Sequence, residues 1–221
     1  MSELEHAKLD HLRPTDLPAR LAAQLEEKLP ADHARRRFAP QLAYGRHQGP
    51  APAGARKAAV AILLFPQDDE WFLPITLRPP QMTRHANQLS LPGGAVDAGE
   101  SDFQCALREL QEELAVDRHD VHLIGPLSPL YVFASNFAVT PWLLHTVRRP
   151  AFHPDRKEVA EMIEVPLRAL CSPENCGQHT IRRGALQFSA PHIEYAGHLI
   201  WGATCMILGE LLALFERVER L

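Results

Sequence analysis

The sequence predicts a layered α/β or α+β domain, and three observations carry that prediction. Ala58 to Phe65 (AAVAILLF) is a continuous apolar run of strand length. Between Asp102 and Leu114, the residues Phe103, Ala106, Leu107, Leu110 and Leu114 recur at the spacing of one helix face. Strand-like segments flank that helix, and the apolar stretch Leu199 to Phe215 reads as a buried C-terminal helix. The chain has 221 residues, 46% hydrophobic and 23% charged, which suffices for one sizeable core with additions.

Taken in order, Leu17 to Leu29 repeats apolar residues at a helical period and Pro30 stops it, giving an accessory N-terminal helix. Residues up to Ala55, including Arg35, Arg36 and Arg37, read as an irregular connection, with the arginines on a solvated face. Residues 1–56 are thus expected to be a helical extension and residues 57–221 the main domain. Trp71 to Leu77 pairs with the first strand across Gln67-Asp68-Asp69-Glu70. Gln88 to Leu91 is a short strand, after which Pro92-Gly93-Gly94 predicts an irregular turn. Ser101 and Gln104 make a capping box for the helix from Asp102. Val121 to Leu127, Phe137 to Val147 and Glu161 to Val165 are strand-like, and Ile181 to Glu194 holds a hairpin. Trp201 is expected as a core anchor at the start of the last helix.

Charge and composition exclude several classes. The net charge of −4 gives no basic field for nucleic acid or an anionic membrane. MSELEHAKLD lacks a signal-peptide profile, which points to the cytoplasm, and Leu199 to Phe215 is short for a membrane span. Cys105, Cys171, Cys176 and Cys205 fit neither a zinc site nor a disulfide framework, and the twelve histidines show no paired metal spacing. A homodimer is a reasonable prior for such a chain.

The chemistry concentrates on the acidic helix. With the apolar stripe inward, Glu109, Glu112 and Glu113 fall at i, i+3 and i+4, where like charges cost a few tenths of a kcal/mol per pair. A hard divalent cation compensates such a cluster, because Mg²⁺ is held by a few carboxylates together with substrate phosphates. A solvated acidic face is the bland alternative. The wider spacing decides between them: Gly94, Glu100, Arg108, Glu109, Leu110, Glu112 and Glu113 follow G-x₅-E-x₇-R-E-U-x-E-E, where U is aliphatic. At average residue frequencies this recurs by chance with odds on the order of one in a hundred thousand.

This segment closely resembles the Nudix box, and the resemblance implies an α/β/α sandwich with a mixed sheet that hydrolyses a pyrophosphate bond with Mg²⁺ or Mn²⁺. It implies that Glu109, Glu112 and Glu113 hold the metal, that the Gly94 region lends a backbone carbonyl, and that Arg108 and Glu100 brace the loop and helix. Glu109 is the first choice for the base; a later-loop glutamate, Glu158 or Glu161, is the alternative, with Glu158 also a metal-ligand candidate. Ala115 stands where the box usually has glycine, so the helix exit is expected to be reshaped.

Upstream, Arg78, Arg84, His85, Gln88, Ser90 and Pro92-Gly93-Gly94, with Asp97, resemble the segment of the coenzyme A pyrophosphatase subgroup, although Asn87 replaces its glycine. Phe137 to Pro141, Glu158 to Leu167 and Ile200 to Thr204 extend the likeness, so that it spans about residues 57 to 215. It implies cleavage of coenzyme A or acyl-coenzyme A into 3′,5′-ADP and a 4′-phosphopantetheine product, with Arg78, Arg84, His85, Gln88 and Ser90 toward the substrate. The first rival is a Nudix hydrolase of another nucleoside diphosphate derivative: ADP-ribose, a nucleotide sugar or a dinucleoside polyphosphate. The second is a Nudix-like regulator that binds a nucleotide without cleaving it.

Overall fold

The computed structural model describes residues 16–27, 31–41, 50–80, 88–184 and 186–220. Strand β1 (Arg56–Gln67) is its axis. Ala58, Ile62 and Leu64 enter one buried cluster, and Ala59, Ala61 and Leu63 enter another. Burial on both faces explains why this strand reads as an unbroken apolar run instead of an alternation.

Strand β2 (Glu70–Leu77) returns through Asp68 and Asp69, whose φ of 50° and 59° supply the twist that a two-residue hairpin needs. Strands β3 (Leu89–Ser90) and β8 (Glu161–Pro166) both pair antiparallel with β2. Strand β7 (Phe137–His145) runs parallel to β1 and carries β5 (His122–Pro126) and β6 (Leu130–Val132) antiparallel to it. Strand β4 (Gly93–Ala95) takes the remaining edge of β1 at Ala58–Val60, while β2 takes that same edge at Phe65–Gln67. The sheet therefore divides between β4 and β2, and that division opens beside the acidic helix. Strands β9 (Cys176–Arg183), β10 (Leu186–Tyr195) and β11 (His198–Trp201) form a separate antiparallel sheet.

Among the described residues, five α-helices cover the strands. Helix α3 (Asp102–Leu114) buries Cys105, Ala106, Leu110 and Leu114 against Ala59, Ala61 and Leu63. On the opposite face, α1 (Leu17–Glu26) and α2 (Ala31–Arg36) pack on α5 (Gly202–Arg220), sharing a core through Leu17, Leu21, Leu208, Leu211 and Val218. Short α4 (Leu167–Cys171) follows β8. The result is the expected α/β/α arrangement, in which each layer buries one apolar face of the next.

Several local expectations need correction. Helix α1 ends at Glu26, and Leu29 and Pro30, on which its expected end rested, lie outside the described residues. Arg35 is not on a solvated face: it lies in α2 at 2% exposure and pairs with Glu210 of α5 at 2.5 Å. Its guanidinium also donates to the carbonyls of Ser128 and Pro129. Gly93 and Gly94, expected in a turn, form β4, because Ala59 and Val60 offer them a ladder partner. Leu199, Ile200 and Trp201 belong to β11, paired with β10, and the last helix begins only at Gly202, whose φ of 66° turns the chain from strand to helix. All four cysteines are free. Among the described residues no helix is long and apolar enough to cross a membrane.

Candidate active site

Helix α3 starts as its sequence requires. Ser101 Oγ accepts from Gln104 N–H at 3.2 Å and Gln104 Oε1 accepts from Ser101 N–H at 2.9 Å, which satisfies two donors the helix leaves free. Thr140 of β7 donates to Asp102 at 2.8 Å and ties the first turn to the sheet. At the other end Ala115 adopts the left-handed conformation, φ 56° and ψ 30°, and its N–H reaches the Gln111 carbonyl at 3.0 Å. The expected reshaping of the exit does not occur: alanine takes the glycine conformation and bears its steric cost.

The last carbonyls of a helix need partners from elsewhere. Here the loop after β7 supplies them, as His153 N–H donates to the Leu114 carbonyl and Asp155 N–H to that of Glu113, both at 3.0 Å. Asp155 in turn accepts from the N–H groups of Glu158 and Val159 at 2.9 and 2.8 Å, and Val159 is buried. These bonds deliver Glu158 to the helix. Carboxylate oxygens of Glu109, Glu113 and Glu158 lie within 4.8 Å of one another.

Each of the three has a distinct setting. Glu113, 3% exposed, accepts from Gly93 N–H at 3.2 Å and from Thr76 Oγ1 at 3.4 Å, so it bridges β2 and β4 across the division of the sheet. Burial pushes its pKa up to about 7, against the Gly93 hydrogen bond and the nearby Arg78 cation. Glu109 is also raised by burial, opposed by a hydrogen bond from Arg108. Glu158 is exposed.

Glu112 does not join them. Its half-exposed side chain accepts from Arg108 Nη1 at 2.8 Å, an i, i+4 pairing along the outer face of the helix. Of the two further carboxylates that the sequence offered, Glu158 joins Glu109 and Glu113 and Glu112 turns to Arg108. The same Nη1 bonds Glu109 at 2.8 Å, while Arg108 Nε bonds Glu100 at 2.9 Å and Nη2 reaches the Ala95 carbonyl at 3.2 Å. Glu100 also accepts from Asp97 N–H at 3.0 Å, and the Arg108 hydrogen bond holds its pKa below the ordinary value. Arg108 therefore joins the loop at 95–100 to the helix and fixes the Glu109 carboxylate.

Glycines make room for this packing. A Cβ on Gly94 would lie 2.1 Å from Glu109 Oε1, and one on Gly93 would lie 2.3 Å from the Ala59 carbonyl oxygen. The Gly94 carbonyl lies 3.6 Å from Cys105 Sγ. Of the residues expected to meet a substrate, Arg78 donates to the Gly93 carbonyl at 3.3 Å and Ser90 Oγ sits 3.3 Å from Thr76 Oγ1. Arg78, Gln88 and Ser90 line a cavity of about 510 Å³ together with Gly93 and Gly94. Arg84, His85 and Asn87 lie outside the described residues. Glu161 begins β8, and its carboxylate lies 3.5 Å from His198 Nε2. Trp201, half-buried, ends β11 and lines the cavity, with its ring 5.6 Å from that of His179.

Sequence reading missed Thr76, the apolar walls of the cavity and the Arg35–Glu210 pair. One signal existed for the last: Glu210 interrupts an otherwise apolar helix, and a charge in such a place demands a buried partner.

Comparison with known proteins places the chain in a family. The NUDIX domain family pattern matches residues 55–183. The Uncharacterized Nudix hydrolase NudL of Yersinia enterocolitica is 32% identical over 164 residues, covering 74% of this chain and 83% of that protein. A protein of the same description from Pectobacterium atrosepticum is 33% identical over 157 residues, covering 71% and 81%. In fold, the chain resembles the Nudix hydrolase RenU from M. smegmatis, with a TM-score of 0.51 and 15% identity over 83% of this chain and 94% of that one. The chain belongs to the Nudix family and is a pyrophosphohydrolase that acts on phosphoanhydride bonds.

Proposed function

We propose that this hydrolase cleaves the diphosphate of coenzyme A or acyl-coenzyme A into 3′,5′-ADP and 4′-phosphopantetheine or its acyl derivative, with Mg²⁺ or Mn²⁺ held by Glu109, Glu113 and Glu158. One observation supports the substrate most. Arg78, Gln88 and Ser90, from the segment that resembles coenzyme A pyrophosphatases, face one cavity whose wall, Gly93 and Gly94, also meets Glu113 and Glu109.

The donor set fits the cation. Carboxylate oxygens within 4.8 Å of one another are the hard ligands that Mg²⁺ and Mn²⁺ take. When bound, the cation supplies charge for the diphosphate oxygens and acidifies a water. The chain's own groups do the rest. Glu109 accepts the proton of the attacking water, a task suited to a carboxylate whose burial raises its affinity for protons, and Glu158 is the alternative base. Arg108, held by Glu100 and Glu112, keeps Glu109 in place. Arg78 offers its guanidinium beside Gly93 to a phosphate oxygen, and Arg84 and His85 serve the same anion. In this reading residues 57–221 form the hydrolase domain and residues 1–56 its extension.

Incubation with Mg²⁺ and a panel of coenzyme A, acyl-coenzyme A, ADP-ribose, nucleotide sugars and dinucleoside polyphosphates, read by mass spectrometry, tests the assignment. The expected result is 3′,5′-ADP from the coenzyme A compounds at the highest kcat/KM. Far better turnover of ADP-ribose or a dinucleotide rejects it.

A further inference from the structure

We infer that the cavity beside Gly93 and Gly94 receives the acyl-pantetheine arm of the substrate, so that the enzyme selects acyl-coenzyme A over free coenzyme A through Phe133, Phe188 and Trp201. This rests on the coenzyme A reading above and adds a direction and a preference to it.

The cavity is large enough for a ligand arm, about 510 Å³, and three parts of the fold enclose it. The turn from β6 to β7 brings Phe133, the small sheet brings Phe188 and Trp201, and α5 brings Met206 and Ile207. Arg78 is the sole charged side chain among the described residues that line it, and it stands where the cavity meets Gly93.

That distribution separates the two halves of the substrate. The 3′,5′-ADP half carries a second phosphate away from the diphosphate, and burying an unpaired phosphate among aromatic and aliphatic side chains carries a large desolvation penalty. The other half is an uncharged arm. Its two amides find Gln88, Ser90 and Ser135 on the cavity wall, and an acyl chain beyond them meets the mainly apolar surface that Phe133, Phe188, Trp201, Met206 and Ile207 supply among the described residues. Phe133, 39% exposed, lies at the edge of this surface, where a bound chain removes it from water.

Steady-state hydrolysis of coenzyme A, acetyl-coenzyme A and octanoyl-coenzyme A by the full chain in Mg²⁺ tests the inference. Each fully buried methylene adds at most about fourfold in binding, so the octanoyl compound is expected to exceed coenzyme A in kcat/KM by about tenfold or more. Phe133→Ser removes an apolar contact on a partly exposed turn, and Ala134→Trp blocks the cavity from the exposed side of the same turn. Both are expected to bring the octanoyl-to-coenzyme A ratio down severalfold toward one. If coenzyme A is hydrolysed but the acyl chain brings no gain, or if neither variant changes the ratio, the inference is overturned and the coenzyme A assignment stands. If no coenzyme A compound is hydrolysed while another nucleoside diphosphate derivative is, both are overturned.

Discussion

Gly94 lies against the Glu109 carboxylate so closely that a methyl group on its Cα would sit 2.1 Å from Oε1. The contact is with the far end of a flexible side chain, so Gly94→Ala moves the carboxylate before it disturbs the backbone. The expected outcome is a melting temperature close to wild type and a loss of kcat/KM on the order of 100-fold, the scale for a catalytic group displaced by about an ångström. Wild-type activity in this variant would show that the position of Glu109 does not matter.

Ala115 gives the opposite test, of stability without chemistry. It holds φ 56° at the exposed end of α3, a conformation that costs an L-residue about 1–2 kcal/mol. Ala115→Gly relieves that strain while loosening the unfolded chain by about 0.5–1 kcal/mol. A net gain of a few tenths to 1 kcal/mol, about 1–3 °C in Tm, is expected from thermal unfolding, with unchanged activity.

Arg35 and Glu210 test the attachment of the N-terminal helices. Replacing Arg35 by Met leaves a buried carboxylate without its partner, a loss of about 3–5 kcal/mol in denaturant unfolding. Combining it with Glu210→Leu is expected to recover part of that loss and not all of it, since Ser128 N–H then loses its 3.0 Å acceptor. Equal stability of Arg35→Met and wild type contradicts this account.

How far the sequence reveals the molecule depends on the range of the interaction. The limits of α3 follow from Ser101, Gln104 and a local apolar period, and the β1–β2 hairpin follows from Asp68-Asp69 between two apolar runs. Local signals sufficed there. Helix α2 and Arg35 were misread because a partner 175 positions away decides their burial. Strand β4 was taken for a turn because its glycines are extended by pairing with β1, which propensity does not register. The carboxylates show the same division. Helical spacing placed Glu109, Glu112 and Glu113 on one face and left Glu158 a tentative ligand, whereas the turning of Glu112 toward Arg108 and the delivery of Glu158 by a returning loop depend on contacts that spacing does not register.

The pKa of Glu113, raised by burial from the ordinary value of 4.5 to about 7, sets a pH dependence with a definite sign. Between these values the folded protein holds a proton that the unfolded chain has released. Folding stability from this group therefore falls as pH rises from about 4.5 to about 7 and stays lower above that range. Glu113→Gln removes the effect, so the Tm difference between variant and wild type, without metal, is expected to grow in favour of the variant from pH 5 to pH 8. A constant difference across that range rejects the shift. Added Mg²⁺ should erase the variant's advantage at pH 8, where the wild-type carboxylate is ionised and available as a ligand.

The central claim is that Glu109, Glu113 and Glu158 form one divalent-cation site, and titration with Mn²⁺ followed by electron paramagnetic resonance at pH 8 measures it directly. The account predicts one site whose affinity falls at least about tenfold in Glu113→Gln and clearly in Glu158→Gln, a scale typical of damaged metal sites, with a smaller change in Glu112→Gln. Wild-type Mn²⁺ affinity in Glu113→Gln, or a loss confined to Glu112→Gln, contradicts it.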